Sequence, residues 1–189
     1  MTDNSQVDIR WHGRGGQGAI TAAKIVAKVA FDSGYGGVVM IPTFGTERRG
    51  APVFTSLKLS KNPVHDLSPI EEPDIAVILD EQLITEADAL HGIKPGGCVI
   101  INTPKPADMF KFENITTAVA DISSMAESVG LHRDIVNTGI IGAFAKATGL
   151  LPIEPLLGAI EKKIGGSKGK ANMEAARLAY DRTYIGEEK

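Results

Sequence analysis

Short apolar runs of strand character take turns along this chain with longer stretches of helical period. Residues 7–11 (VDIRW) alternate apolar and polar like a half-buried strand, and from 19 to 33 Ala, Ile, Val and Lys recur at helical spacing. The same criteria predict strands at 37–41, 53–59, 75–79, 99–102 and 115–118, and helices at 81–90, 122–128, 138–148, 153–164 and 171–184. Gly149 followed by Pro152 closes the 138–148 helix. The basic, glycine-rich run Gly165-Gly166-Ser167-Lys168-Gly169-Lys170 separates the last two. Strands alternating with helices imply a sheet with crossover helices. The 53–59 strand follows 37–41 with no helix between them, so part of the sheet is expected to be antiparallel. The expected fold is a single α/β domain, a mixed, mostly parallel sheet with flanking helices and a helical C-terminal third.

Bulk properties narrow the function more than the fold. At 189 residues the chain suffices for one well-packed domain, and its 21 glycines fit many tight turns. A net charge of −3 points to neither nucleic acid nor an anionic membrane. The polar start Met1-Thr2-Asp3-Asn4-Ser5-Gln6 lacks signal-peptide order, and no apolar run nears the roughly 20 residues of a membrane span, so a cytoplasmic protein is expected. The single cysteine, Cys98, cannot form an internal disulfide or supply the thiolates of an iron–sulfur cluster, and its apolar setting suits a buried thiol.

The run Gly13-Arg14-Gly15-Gly16-Gln17-Gly18 joins the first strand to the first helix. Such a turn presents backbone N–H groups and a positive helix end to one spot, which suits phosphate or another anion. Gly13, Gly15 and Gly18 match the spacing of a dinucleotide loop, and Arg14 adds a cation favouring an anionic ligand or an acidic partner surface. A nicotinamide site also wants a carboxylate at the end of the second strand. Here that strand reads Val38-Val39-Met40-Ile41-Pro42-Thr43. A tight turn that only packs helix on strand is the plainer alternative.

A second loop, Thr43-Phe44-Gly45-Thr46-Glu47-Arg48-Arg49-Gly50-Ala51-Pro52, lies just past the second strand, at the edge where ligands bind in doubly wound sheets. Arg48 and Arg49 offer planar donors to phosphate or carboxylate, and Glu47 is placed to orient one of them. A solvated surface turn is the alternative.

These two loops, taken in order, resemble the gamma subunit of pyruvate, ketoisovalerate and related 2-oxoacid:ferredoxin oxidoreductases. The likeness continues through Glu72-Pro73-Asp74, Asn137-Thr138, Gly142-Ala143 and the helix carrying Asn172, Ala175-Ala176 and Tyr180, covering nearly the whole chain. The resemblance implies one gamma-type domain over 1–189, with a core at 7–164 and a C-terminal loop and helix at 165–189 as a candidate docking arm. It implies oxidative decarboxylation of pyruvate or a related 2-oxo acid to an acyl-coenzyme A, in a hetero-oligomer of anaerobic metabolism. Thiamine diphosphate, Mg2+ and iron–sulfur clusters are then expected on alpha, beta and delta partner subunits, with ferredoxin as acceptor. The chain has no Gly-Asp-Gly…Asn pattern for thiamine diphosphate, and alone it should be inactive. What remains for it is subunit interface and coenzyme A capture by Gly13, Arg14, Gly15, Gly16, Gln17, Gly18, Thr46, Glu47, Arg48 and Arg49. The arginines equally suit carboxylates on a partner chain. The rivals are a stand-alone dinucleotide-binding oxidoreductase and a purely structural scaffold subunit.

Other residues read as structural. His12, His65, His91 and His132 show no metal-ligand spacing, though His12 directly precedes the glycine loop. Trp11 reads as strand packing, Asp80 and Glu81 as helix-start residues, Glu71 and Glu72 as a solvated turn, and Asn137 as an N-cap. Lys168 and Lys170 are candidates for a phosphate contact, but Ile164 and Ala171 break the Walker A spacing.

Overall fold

The computed structural model describes residues 6–43 and 49–186. Its strands are β1 (Gln6–Arg14), β2 (Gly37–Pro42), β3 (Pro52–Ser60), β4 (Ile75–Ile78), β5 (Gly97–Asn102), β6 (Ile115–Ala120) and β7 (Tyr184–Ile185). Its helices are α1 (Ala19–Asp32), α2 (Leu83–Glu86), α3 (Ile122–Ser128), α4 (Gly139–Thr148), α5 (Ile153–Ile164) and α6 (Gly166–Arg182). One sheet runs β2-β3-β1-β4-β5-β6-β7. β1, β4, β5 and β6 are mutually parallel, β3 is antiparallel to both β1 and β2, and β7 is antiparallel to β6. Five of the seven strands therefore point one way, as the expected mixed, mostly parallel sheet requires. Because the chain returns from β2 without a helix, β3 enters beside β1 and pushes β2 out to the edge.

Side-chain alternation divides the sheet into two faces. Ile9, Trp11, Leu57, Leu59, Ile75 and Val77 face a core built with α1, α4, α5 and α6. Ala76, Ile78, Val99, Ile101 and Val119 face a smaller cluster with Leu83 and Ala89. α1 buries Ala22, Ala23, Ile25, Val26, Val29 and Ala30, the stripe its spacing encoded. Trp11 packs on Phe144 of α4, with ring centroids 5.4 Å apart.

Two helix expectations need correction. Only Leu83–Glu86 of the 81–90 stretch is helical. The buried Arg10 guanidinium donates to the carbonyls of Ala89 and His91, which are thereby held in a turn instead of a helix. Conversely, α6 starts at Gly166, five residues before the expected 171. The glycine-rich run is mostly helix because α6 must lie against α5 and α4 without bulk between them. Gly142 of α4 shows the constraint directly: a Cβ there would lie 1.9 Å from the Ala176 carbonyl oxygen. Among the described residues no helix is long and apolar enough to cross a membrane.

Candidate functional site

The carboxyl ends of β1, β2, β4, β5 and β6 share one edge, and the glycine loop lies there between β1 and α1. It is a fixed structure. The Arg14 N–H donates to Gln17 Oε1 at 2.8 Å, and the Gln17 N–H donates to the Arg14 carbonyl at 2.9 Å. The Gly15 N–H donates to the Ala51 carbonyl at 2.8 Å, and the Gly50 N–H to the Gly15 carbonyl at 3.1 Å. These last bonds extend the β1/β3 pairing and bring the two sequence-predicted loops side by side. Gly18 caps α1 in the left-handed region at φ 83° without a side-chain cap, and the first helical bond runs from the Ala22 N–H to its carbonyl. The first-turn N–H groups of α1 therefore have no partner within the helix, and they carry the positive end of its dipole.

Arg14, Gly15, Gly16, Gly18, Ala19, Ile20, Thr43, Arg49 and Val53 line a cavity of about 280 Å3 at this edge. The two arginines differ in kind. Arg14 Nε meets Asp80 Oδ2 at 2.6 Å, and its Nη2 reaches Glu86 Oε2 at 2.8 Å and Gln82 Oε1 at 3.1 Å. Its Nη1 donates to the Gly50 carbonyl at 3.3 Å. Its hydrogen bonds to Asp80 and then to Glu86 raise its pKa above the ordinary arginine value. Arg49 is exposed, and among the described residues it has no ion pair. Thr43 Oγ1 is buried and has no hydrogen-bond partner among the described residues. Sequence reading passed over Thr43 because nothing in a lone threonine at a strand end marks it. Thr46, Glu47 and Arg48 lie outside the described residues.

Several other expectations change. Asp80 is more than a helix-start residue: it pairs with Arg14, while its second oxygen accepts the Gln82 N–H at 3.0 Å. Glu81 pairs with Lys105 at 2.6 Å and accepts from the Thr103 hydroxyl. Thr138, not Asn137, is the residue before α4, and the Asn137 amide lies against Gly18. Thr138 Oγ1 bonds Asn172 Oδ1 at 2.7 Å, and Asn172 Nδ2 donates to the Lys168 carbonyl. That chain of contacts links the first turn of α6, with Lys168 and Lys170, to the start of α4. Asp74 accepts from the Asp8 N–H and from Lys94 Nζ, both at 2.8 Å, so it braces β1 against β4.

His12 is buried and stacked on Phe54, with ring centroids 5.7 Å apart, and its Nε2 has no hydrogen-bond partner among the described residues. Burial, helped by the Arg10 charge, holds its pKa down to about 3. Burial likewise pushes the Cys98 thiol up to about 11. Among the described residues no group of three His, Cys, Asp or Glu side chains could hold a metal ion. A larger groove of about 1010 Å3, lined by Lys111, Glu113 and Tyr184 among others, opens at the amino ends of β5 and β6, away from every sequence-predicted site residue.

Comparison with known proteins agrees with this architecture. Residues 8–182 match the family model described as pyruvate ferredoxin/flavodoxin oxidoreductase. The common gamma subunit of the pyruvate/ketoisovalerate oxidoreductases of Thermococcus litoralis is 43% identical over 186 residues, 96% of this chain and 99% of that one. Pyruvate synthase subunit PorC of Methanothermobacter marburgensis is 43% identical over 177 residues, 93% of this chain and 97% of that one. The crystal structure of pyruvate oxidoreductase subunit PORC from Thermotoga maritima superposes with a TM-score of 0.84 at 30% identity, covering 97% of this chain and all of that one.

Proposed function

The chain belongs to the pyruvate ferredoxin/flavodoxin oxidoreductase family, as a chain of its gamma-subunit type, and on that premise we propose that it supplies the coenzyme A cavity of a thiamine-diphosphate-dependent 2-oxoacid:ferredoxin oxidoreductase. Alpha, beta and delta subunits would complete that complex. The single observation that carries the reading is the cavity shared by the glycine loop and Arg49. It joins the N-terminus of α1 with a cation and a Thr43 hydroxyl that have, respectively, no ion pair and no hydrogen bond among the described residues. At about 280 Å3 it is near the lower end of small-molecule sites, roughly 300–1,000 Å3, so it suits one phosphate-bearing part of a coenzyme-sized ligand.

Each lining group has a separate role. The α1 N–H groups and Arg49 would bind phosphate oxygens through charge-assisted hydrogen bonds. Thr43 Oγ1 would hydrogen-bond the ligand. The lack of a Cβ at Gly16, where the space beside the backbone is empty, leaves that part of the loop open to close approach. When bound, coenzyme A supplies the thiol that accepts the acyl group. The chain lacks the thiamine pattern and has one cysteine, so decarboxylation and electron transfer to ferredoxin fall to the partner subunits, and the isolated chain would be inactive.

The rival dinucleotide reading loses support from the topology. In a dinucleotide-binding unit the strand after the first crossover lies beside β1. Here β3 occupies that place, and β2 ends in Pro42 and Thr43 with no carboxylate for a ribose. The test is Arg49→Ala in the reconstituted complex. Loss of a charge-assisted bond should raise the KM for coenzyme A about tenfold or more while the subunits still co-elute. An intact complex with an unchanged KM refutes the coenzyme A role, and a dissociated complex assigns Arg49 to the subunit interface.

A further inference from the structure

Arg14 lines the same cavity, yet the donors of its guanidinium are almost fully engaged within the chain. Asp80 takes Nε, Gln82 and Glu86 take Nη2, and Gly50 takes one Nη1 hydrogen. Two carboxylates against one guanidinium leave one net negative charge beside a cavity read as an anion site. That charge opposes the ligand unless one carboxylate can leave.

We infer that Glu86 is a built-in competitor of the anionic ligand, occupying the Arg14 fork until a ligand oxygen replaces it, and that Asp80 is the fixed positioning residue of the loop. The inference rests on the coenzyme A reading above. The two carboxylates are held unequally. The Asp80 side chain is 23% exposed, and both its oxygens are used, one by Arg14 Nε at 2.6 Å and one by the Gln82 N–H at 3.0 Å. The Glu86 side chain is 46% exposed, and among the described residues its carboxylate has Arg14 as its sole partner. A half-exposed pair of this kind is easily exchanged, because water solvates the departing carboxylate. Exchange keeps Arg14 neutralised, so a ligand oxygen can take over only if it brings negative charge. Glu86 thereby makes the site select charged phosphate groups over neutral ones of similar shape, a specificity set by repulsion.

The experiment compares the intact reconstituted complex with its Glu86→Gln, Asp80→Asn and Arg49→Ala variants. In each, the KM for coenzyme A, the KM for the 2-oxo acid and the inhibition constant of inorganic pyrophosphate against coenzyme A are measured. Glu86→Gln should lower the coenzyme A KM and the pyrophosphate constant together, about two- to fivefold, the range of a solvent-exposed ion pair. The KM for the 2-oxo acid should stay fixed, which a general structural disturbance would not allow. Asp80→Asn should raise the coenzyme A KM and lower the thermal midpoint. If Glu86→Gln leaves the coenzyme A KM unchanged or raises it while Arg49→Ala still weakens coenzyme A, the competitor role is refuted and the cavity assignment stands. If Arg49→Ala has no effect either, the cavity assignment fails with it.

Discussion

Gly18 is the point where backbone geometry and the proposed site depend on one residue, and its replacement by alanine tests both. Its φ of 83° lies in the left-handed region, where a Cβ costs about 1–2 kcal/mol. A Cβ there would also stand 2.7 Å from Asn137 Nδ2 and 3.0 Å from Asn137 Cγ. Asn137 is half-buried, so its amide can swing aside, and the steric part is the smaller one. Gly18→Ala should therefore destabilise the chain by about 1–2 kcal/mol, a fall of about 2–8 °C in Tm for a domain of this size. The assay is thermal unfolding of the full chain followed by circular dichroism, with Asn137→Ala and the double variant completing a cycle. Most of the loss should persist in the double variant, because removing the amide relieves the contact but not the backbone strain. In the complex the same substitution should raise the KM for coenzyme A, since it shifts the first turn of α1. A Gly18→Ala chain as stable as the parent, or one fully rescued by Asn137→Ala, would refute the argument.

Three further outcomes follow from burial. Gly142→Ala forces a Cβ to 1.9 Å from the Ala176 carbonyl, so α4 and α6 must separate; overpacking of about 1–3 kcal/mol should outweigh the helix-propensity gain of about 1 kcal/mol, read as a lower denaturant midpoint. His12 is neutral in the fold, with its pKa at about 3 against 6.5 in the unfolded chain, so the unfolded state binds more protons between those values. Stability is therefore full above about pH 6.5 and lost as pH falls toward 3; His12→Phe, which keeps a ring against Phe54, should flatten that part of the Tm–pH curve, and parallel curves would refute it. Cys98, its thiol raised to about 11, should react with a thiol reagent at pH 8 about two orders of magnitude more slowly than a free cysteine, and at the ordinary rate once the chain is unfolded.

The pattern of apolar residues carried most of the fold because burial in this chain follows period. β1 to β6 and five of the six helices are long enough for alternation or a helical stripe to repeat. The errors arise where long-range contacts override the local pattern. At 81–90 the sequence is a fair helix, but Arg10, some eighty residues away, draws the Ala89 and His91 carbonyls into its own hydrogen bonds. At 165–170 the glycines look like a break, yet Gly169 lies inside α6, where a Cβ would stand 2.7 Å from the Glu161 carbonyl oxygen. β7 is two residues long and too short to show a period at all. The insertion of β3 between β1 and β2 was half legible: the missing helix announced an antiparallel strand, but not which side of β2 it would take.

The candidate site was legible as chemistry and illegible as pairing. Sequence gives Arg14 and Arg49 the same standing, two guanidinium groups beside a glycine-rich turn. What separates them lies beyond β4: Asp80 in the turn after that strand and Glu86 at the end of α2, sixty-six and seventy-two positions away, claim Arg14 and find no purchase on Arg49. An arginine so matched contributes order to the loop before it contributes charge to a ligand, whereas Arg49, which has no ion pair among the described residues, keeps its charge for whatever enters the cavity. The difference also explains why Asp80 reads from sequence as a helix-start residue. Its local role, accepting the Gln82 N–H, is the part that short-range pattern can encode, and its larger role depends on β1 and β4 lying side by side in the sheet. The two arginines should then respond oppositely to added salt. Screening weakens an exposed Arg49–phosphate contact and also loosens Glu86 from Arg14, so coenzyme A binding should lose less with ionic strength in the parent complex than in Glu86→Gln, where no internal competitor is released. A steeper salt dependence in the parent would mean that Glu86 does not compete for Arg14.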